Sequence, residues 1–309
     1  MGGPYAASVA SLGGLPTVNL DIPVCAVLLL LYISFAATNM TIFQVNKRRQ
    51  HKFVLNALMF GFCMSRIVTL TLRIVWATRQ HNIRIAIAST IFVNAGILLL
   101  YIINLILAQR ILRAMQPQVG WNTVLRASYK VMYISLAAAL IMVITSTVIT
   151  VYTLNPHIKS ICRDILLAAV TYLLVFTALP IIHLIIVLIL PRRSDAETFG
   201  KGSLESKMVI VALSTCLCVL IAGFKTGVSW GSPRPIFMPA WYHSKACFYI
   251  FNFMCEIITL GILTFSRIDQ RFFVPNGSKK AGDYSQQSEE SFPEREKEVS
   301  SDDVTVESR

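Results

Sequence analysis

The stretch FVLNALMFGFCMSRIVTLTLRIVW, residues 53–76, decides the fold of this chain. It is long and apolar enough to cross a bilayer, which takes about 20 residues, yet it carries Arg66 near its middle and Arg73 near its end. An arginine at the centre of a span costs roughly 2.5–3.5 kcal/mol, whereas each large apolar residue returns about 0.3–0.6 kcal/mol. The segment can therefore insert only if another part of the chain accommodates its arginines.

The composition is that of a membrane protein. Hydrophobic residues make up 55% of the 309 residues and charged residues 14%, whereas a soluble domain carries about 25% charged residues. The net charge is +12, and the basic residues stand mostly between apolar runs. We therefore expect anionic lipid headgroups as partners at the loops, and no nucleic acid, although a basic chain can attract either.

Seven apolar stretches predict an all-α, polytopic bundle of seven transmembrane helices. Each stretch is near the length that a bilayer requires. Residues 1–20 are predicted to form a short disordered exoplasmic lead, residues 21–277 the transmembrane domain, and residues 278–309 a disordered, acidic and serine-rich cytoplasmic tail. The predicted spans are 22–45, 53–76, 85–108, 130–153, 164–190, 208–228 and 245–266.

The distribution of lysine and arginine predicts the orientation of the bundle. With the N-terminus outside, twelve basic residues fall in the cytoplasmic loops and seven, Lys225 among them, on the exoplasmic side. This bias agrees with the positive-inside rule and leaves the C-terminus in the cytoplasm. A glycan on Asn276 would contradict this orientation. We expect a multi-pass protein of the plasma membrane rather than of an endomembrane.

Glu256 is the predicted partner of Arg66. It lies about eleven residues from the Lys245 end of the seventh span, and Arg66 lies about thirteen residues from the start of the antiparallel second span. Both side chains therefore fall near the bilayer centre. An acid at that depth is either protonated or paired. Such a pair is a candidate functional site, and the alternative is that it only fixes helix packing.

Other polar residues within the spans are candidates for the lining of a ligand cavity. Asn252 stands one turn before Glu256, Asn94 lies in the third span, and His183 lies in the fifth. The alternative is that these side chains only join neighbouring helices. Arg73, close to the end of its span, is expected to extend to the headgroups of the outer leaflet.

The sequence contains no pattern that indicates an enzyme. The histidines and cysteines lack metal-ligand spacing, and nucleophile-elbow, zinc-protease and phosphate-loop motifs are absent. We therefore expect no catalytic residue, no metal and no cofactor.

Four stretches carry a resemblance to known proteins: NMTIFQVNKRR (39–49), AGILLLYIINLILAQRILRA (95–114), PAWYHSKACFYIFNFMCEI (239–257) and RIDQRFFVPNGS (267–278). They resemble a family of multispan membrane proteins from filamentous fungi, mostly catalogued as a domain of unknown function, in which some members carry a G-protein-coupled-receptor-like name. The resemblance covers about residues 22–278 and implies an integral membrane protein. It implies no mechanism.

Two functional hypotheses follow. In the first, the protein is a receptor or sensor whose unknown small ligand shifts the helices around Arg66 and Glu256, with a cytoplasmic signalling partner at the basic loops and the tail. In the second, it is a lipid or small-amphiphile transporter, a plan that is similar to fungal lipid-translocating exporters. A scaffold without a ligand is a third alternative.

Overall fold

A computed structural model of the chain describes residues 3–5, 9–49, 53–191, 197–275, 277–278 and 280–284. Among these residues the regular structure is helical, apart from one isolated bridge between Val9 and Pro235. In chain order the helices are α1 Val18–Arg48, α2 Val54–Thr78, α3 Ile83–Gly96, α4 Leu98–Met115, α5 Pro117–Gly120, α6 Thr123–Tyr152, α7 Pro156–Ile189, α8 Leu204–Trp230, α9 Lys245–Tyr249, α10 Cys255–Phe265 and α11 Ile268–Arg271, with a 3₁₀ turn at Trp241–His243 and a π-helical turn at Ile250–Met254.

Seven helical segments of the described chain are long and apolar enough to cross a membrane, so the all-α, seven-span prediction is confirmed. The third segment joins α3 to α4, and the seventh joins α9, the π-helical turn and α10. We call the face of the bundle that holds Trp230 and Lys245 the N-terminal face. The opposite face, which holds Arg48 and Phe265, is the C-terminal face.

Several helices begin at a polar side chain that caps the first turn. The Asn122 side chain accepts a hydrogen bond from the backbone N–H of Val124 at 2.9 Å, and Asn155 accepts one from His157 at 2.9 Å. Such caps satisfy backbone donors that have no partner within the helix. They place the starts of α6 and α7 about two turns before the predicted starts at 130 and 164.

The first two spans pack along a seam of the coiled-coil type, in which buried residues recur at intervals of three and four. The buried residues of α1 are Asp21, Cys25, Leu28, Tyr32, Ala36 and Asn39. Those of α2 include Asn56, Met59, Cys63, Arg66, Leu70, Arg73 and Ala77. Both arginines therefore face the interior of the bundle.

Residues 9–17 cover part of the N-terminal face. The backbone N–H of Ala10 donates to the carbonyl of Arg234 at 2.8 Å, and that of Gly13 donates to His243 at 3.0 Å. Gly13 has a φ of +80°, and a Cβ atom there would lie 2.6 Å from the Phe248 ring. The prediction of a disordered lead is therefore wrong for these residues, because their backbone groups are paired and glycine permits the close approach.

The first part of the predicted tail is packed against the C-terminal face. The Glu197 carboxylate accepts hydrogen bonds from two backbone N–H groups of this part, at 2.7 and 2.9 Å. The Tyr284 ring is 2% exposed and lies 5.6 Å from the ring of Trp121 and 5.9 Å from that of Phe199. The packed chain thus extends past the predicted boundary at 278, while residues 285–309 lie outside the described residues.

Candidate functional site

The interior of the bundle holds an enclosed ion pair. Nη2 of Arg66 donates to Oε1 of Glu256 at 2.6 Å, and Nε lies 2.6 Å from Oε2 without the alignment of a hydrogen bond. Both side chains are 0% exposed. The pairing that the sequence predicts between the second and seventh spans is therefore confirmed.

The guanidinium of Arg66 also binds the third span, near the point where that span is interrupted. Nη1 donates to the carbonyl of Phe92 at 3.2 Å and to that of Val93 at 3.0 Å. Both carbonyls lie near the C-terminal end of α3, which stops at Gly96. The last carbonyls of a helix lack partners within it, and the negative end of the helix dipole favours a cation. Arg66 thus caps α3 from a neighbouring helix.

Gly96 makes this contact possible. A Cβ atom on Gly96 would lie 2.4 Å from Oγ of Ser65 and 3.3 Å from Cζ of Arg66. Real Cβ atoms do not approach other atoms to 2.4 Å, so α2 and α3 can lie this close only because the residue is glycine. The sequence shows this glycine but not its neighbour across the helix interface.

Glu256 is the second residue after the π-helical turn of the seventh span. Within that turn, Asn252 donates from Nδ2 to a carbonyl of its own helix at 3.0 Å. The hydroxyl of Tyr32 donates to the carbonyl of Phe253 at 3.2 Å and lies 3.4 Å from Oε2 of Glu256. Single π turns are frequent at functional sites. Arg66 therefore joins α2 to two spans that are both irregular at the point of contact.

Lys225 is a third charged side chain at this site. From the sequence it is counted among the basic residues at the exoplasmic ends of the spans, but its Nζ atom is buried within α8 rather than exposed at the end of the helix. It stands seven residues after Cys218 and four after Ile221, and both of these face the core. Lys225 and Arg66 both act electrostatically on Glu256. This heptad spacing along α8 is the signal by which Lys225 could have been found.

Besides Nε of Arg66, two buried polar atoms of the site have no hydrogen-bond partner among the described residues. They are Nζ of Lys225 and Oδ1 of Asn252. Their neighbours in the chain, Phe224 and Phe251, stack face to face with ring centroids 3.9 Å apart. A donor and an acceptor are therefore both unused where α8 meets the π-helical turn. Buried polar groups normally have partners, so these two atoms mark a place for a further polar group.

Arg73 belongs to a second buried charge centre, which lies about two helical turns closer to the N-terminal face than Arg66 does. Its Nη2 lies 3.0 Å from Oδ1 of Asp21 and donates to the carbonyl of Gly13 at 2.8 Å. Asp21 also binds Nζ of Lys245 and the hydroxyl of Tyr249, each at 2.6 Å. The prediction that Arg73 extends to the headgroups is wrong, because the side chain is 3% exposed and its charge is met inside the protein.

The seam continues toward the C-terminal face through a chain of amides. Asn56 donates from Nδ2 to Oδ1 of Asn39 at 3.2 Å, and Asn39 donates from Nδ2 to the hydroxyl of Thr264 at 3.2 Å. Asn46 binds Asp269 at 3.2 Å, near the end of the bundle. Polar contacts at three levels therefore join the first, second and seventh spans, and a fourth joins α1 to α11.

Two of the predicted site residues do not reach the Arg66 pair. Asn94 is partly exposed and donates to the carbonyl of Thr90 in its own helix at 3.1 Å. His183 places Nε2 at 2.6 Å from the hydroxyl of Tyr129, between α6 and α7. The prediction that these two side chains line one cavity with Arg66 is therefore wrong, because the contacts of each are with residues outside the Arg66 pair.

The chemistry available at the site is charge pairing and hydrogen bonding. In the part of the chain that the structure describes, no group of three or more His, Cys, Asp or Glu side chains is placed to hold a metal ion. The ion pair, the unpartnered amine and the unpartnered amide oxygen can bind charged or polar groups. They can also exchange partners when a helix moves.

Comparison with known proteins matches residues 197–273 to a family model described as a protein of unknown function (DUF3112). The matched segment includes Lys225, Asn252 and Glu256, but not the span that carries Arg66. No curated protein and no solved structure matches the chain.

Proposed function

We propose that this protein is a receptor-like sensor of seven transmembrane helices, with its N-terminus outside and its C-terminus in the cytoplasm. The observation that supports this function is the set of contacts of Arg66. One fully buried guanidinium holds α2 to the interrupted third span and to Glu256, beside the π-helical turn of the seventh span. Movement of any one of these spans must change the partners of the others.

The irregular positions are where such movement is least costly. At the break between α3 and α4 and at the π-helical turn, the backbone does not continue one regular ladder. Helix shifts at such positions are a common part of switching transitions. A ligand that draws Glu256 away from Arg66 would release the cap on α3 and carry the change toward the C-terminal face.

Transport is the second candidate function, and the depth of the charge centres disfavours it. A path along the seam must open both the Arg66 pair and the Asp21 centre, which are buried at different levels. Breaking one partner of a buried ion pair typically costs about 3–5 kcal/mol. A sensor needs to rearrange only one of these centres, whereas a carrier of lipid or small amphiphiles along this route must open both.

The partners of the sensor remain those that the sequence predicts. They are an unknown small ligand, anionic headgroups at the basic loops, and a cytoplasmic signalling partner; no enzymatic activity is assigned. The resemblance to multispan fungal proteins, some with a receptor-like name, agrees with this assignment. A plasma-membrane location with the N-terminus outside is tested by antibody access to an N-terminal tag on intact cells.

A distance measurement tests the sensor. Spin labels are placed at Val119 and Phe265, which are 38% and 79% exposed, in a background where Cys216 and Cys247 are replaced by serine. The replaced cysteines are those that are not buried. In bicelles, Glu256→Gln is expected to shift the distance distribution between the labels, because the ion pair no longer holds the seventh span.

Two controls separate sensing from transport. Glu205→Gln removes an exposed acid of α8 and is expected to leave the distances unchanged. Vesicles that contain the protein are then loaded with a fluorescent phospholipid, and the sensor predicts no translocation above that of protein-free vesicles. Protein-dependent translocation that is lost in Glu256→Gln would show a transporter instead.

A further inference from the structure

The charges at the Arg66 site do not cancel. Arg66 and Lys225 are basic and Glu256 is the acid on which both act. Arg66 occupies both oxygens of that carboxylate, and Tyr32 adds a third contact. The Lys225 amine has no hydrogen-bond partner among the described residues. An amine in this position lacks its own acceptor, and a buried charge without one is costly.

A second lysine on the same face of α8 shows how such an amine is satisfied when the fold provides a partner. Lys207 lies about five turns earlier and is 4% exposed. Its Nζ atom donates to the carbonyl of Phe199 and lies 4.3 Å from the centre of that ring. One inward-facing lysine of α8 therefore has a built partner, while Lys225 has none.

The surroundings of Lys225 define what can reach it. Side chains of a helix tilt toward its N-terminus, so Lys225 extends from the N-terminal face toward the interior. Its neighbour in the chain, Phe224, stacks on Phe251 of the π-helical turn, and Asn252 of the same turn has an unused oxygen. An inorganic anion would lose its hydration among these apolar groups. An anion with an alkyl chain regains about 0.8 kcal/mol for each CH₂ that it buries.

We propose that Lys225 recognises an anionic amphiphile, with a carboxylate or phosphate head on the amine and an apolar chain inside the bundle. Asn252 would accept a hydrogen bond from a hydroxyl of the same head. Calling this molecule the ligand of the sensor rests on the proposed function, whereas the binding site itself does not. A bound anion would balance the second basic charge of the site and compete with Glu256 for the nearby cations.

The test uses the full chain in nanodiscs of neutral phosphatidylcholine and follows unfolding by tryptophan fluorescence. The probes are dodecanoate and dodecyl phosphate, with dodecanol as the uncharged control and inorganic phosphate as the control without a chain. A separate arm adds phosphatidic acid to the nanodisc, which distinguishes a membrane lipid from a soluble amphiphile. The charged amphiphiles are expected to raise the melting temperature of the wild type more than dodecanol does.

Two substitutions assign the effect to Lys225. In Lys225→Met the affinity for the charged probes is expected to fall at least tenfold, and Lys225→Arg is expected to retain most of it. Lys159→Met, which removes a partly exposed lysine of α7 near the same face, should leave the affinity unchanged. Without a probe, Lys225→Met should melt no lower than the wild type, because the substitution removes an amine without a partner.

Several results would overturn the site. They are equal stabilisation of wild type and Lys225→Met by the charged probes, no response of the wild type to any of them, or a lower melting temperature of Lys225→Met without a probe.

The spin labels at Val119 and Phe265 distinguish the proposed binding site from the proposed sensor function. Binding that depends on Lys225 but leaves their distance unchanged would retain the site and refute the sensor. A distance that changes with dodecanol would refute the site and retain the sensor.

Discussion

Replacement of Gly96 with alanine measures how closely α2 and α3 must approach. In the interior of an ordinary helix the change stabilises by about 1 kcal/mol. Here the added Cβ would lie 2.4 Å from Oγ of Ser65 and 3.3 Å from Cζ of Arg66. Overpacking costs about 1–3 kcal/mol, and displacement of the guanidinium from its carbonyl acceptors adds about 1.5–3 kcal/mol. The net expectation is a destabilisation of about 1.5–5 kcal/mol, or a melting temperature lower by roughly 3–20 °C.

Thermal unfolding in nanodiscs, followed by tryptophan fluorescence, measures the loss. In the double variant Ser65→Ala with Gly96→Ala, the nearest side-chain atom of residue 65 is its Cβ at 3.3 Å, so the part of the loss that comes from overpacking should return, whereas the 3.3 Å approach to Cζ of Arg66 remains. Gly227→Ala is the matched control, because a Cβ there meets nothing within 4 Å. If Gly96→Ala melts at or above the wild-type temperature, or if Ser65→Ala fails to rescue it, the described contact between α2 and α3 is incorrect.

Three further predictions concern the two faces of the bundle. Glu197→Gln and Tyr284→Ala should each speed proteolysis of the C-terminal tail several-fold, since both remove contacts that hold the tail. Equal cleavage rates in the wild type and the variants would exclude the packing of the tail against the C-terminal face. Asp21→Asn should destabilise the protein by about 3–5 kcal/mol, because it leaves Arg73 and Lys245 without their counter-charge. The control Asp164→Asn, at an exposed position of α7, should change the melting temperature little. Similar melting temperatures for the two variants would contradict this prediction. Burial lowers the pKa of His243 below its ordinary value of 6.5. The contribution of this histidine to stability is therefore complete above about pH 6.5 and is lost as the pH falls below that value. The melting temperature should drop less between pH 7.5 and 5.5 in His243→Gln than in the wild type, and a parallel drop in the two proteins would refute the assignment.

The Arg66–Glu256 pair was predictable because depth in a bilayer is countable from sequence. A basic and an acidic residue near the centres of antiparallel spans have few other partners, so the pairing follows from electrostatics alone. The seven spans follow from hydropathy for a similar reason. The partner of Arg73 was not assigned, because Asp21 stands at the edge of its span, where depth alone places a residue in the headgroup region. The coincidence of the buried seams of α1 and α2 decides that pairing.

The irregular parts of the spans could not be predicted from local sequence. The run of residues 95–108 is apolar apart from Asn104, yet the helix is interrupted beside Gly96. There the side chain of Arg66, which belongs to another span, donates a hydrogen bond to a carbonyl near the end of α3. The π-helical turn likewise depends on Tyr32, which donates to a carbonyl of that turn from the first span. Asn94, His183 and Asn252 are all polar residues within apolar spans, and only the packing of the helices shows that Asn252 lies near the Arg66 pair while the other two do not.

The central claim is that a guanidinium inside the bundle is stable only because Glu256 meets it. A double-mutant cycle of Arg66→Met and Glu256→Met, read by unfolding in bicelles, measures that dependence directly. Each single substitution should cost about 3–5 kcal/mol, because it leaves the other charge buried without its partner. The double variant should lose much less than the sum, with a coupling energy above about 1 kcal/mol. Additive losses, with no coupling between the two positions, would contradict the claim.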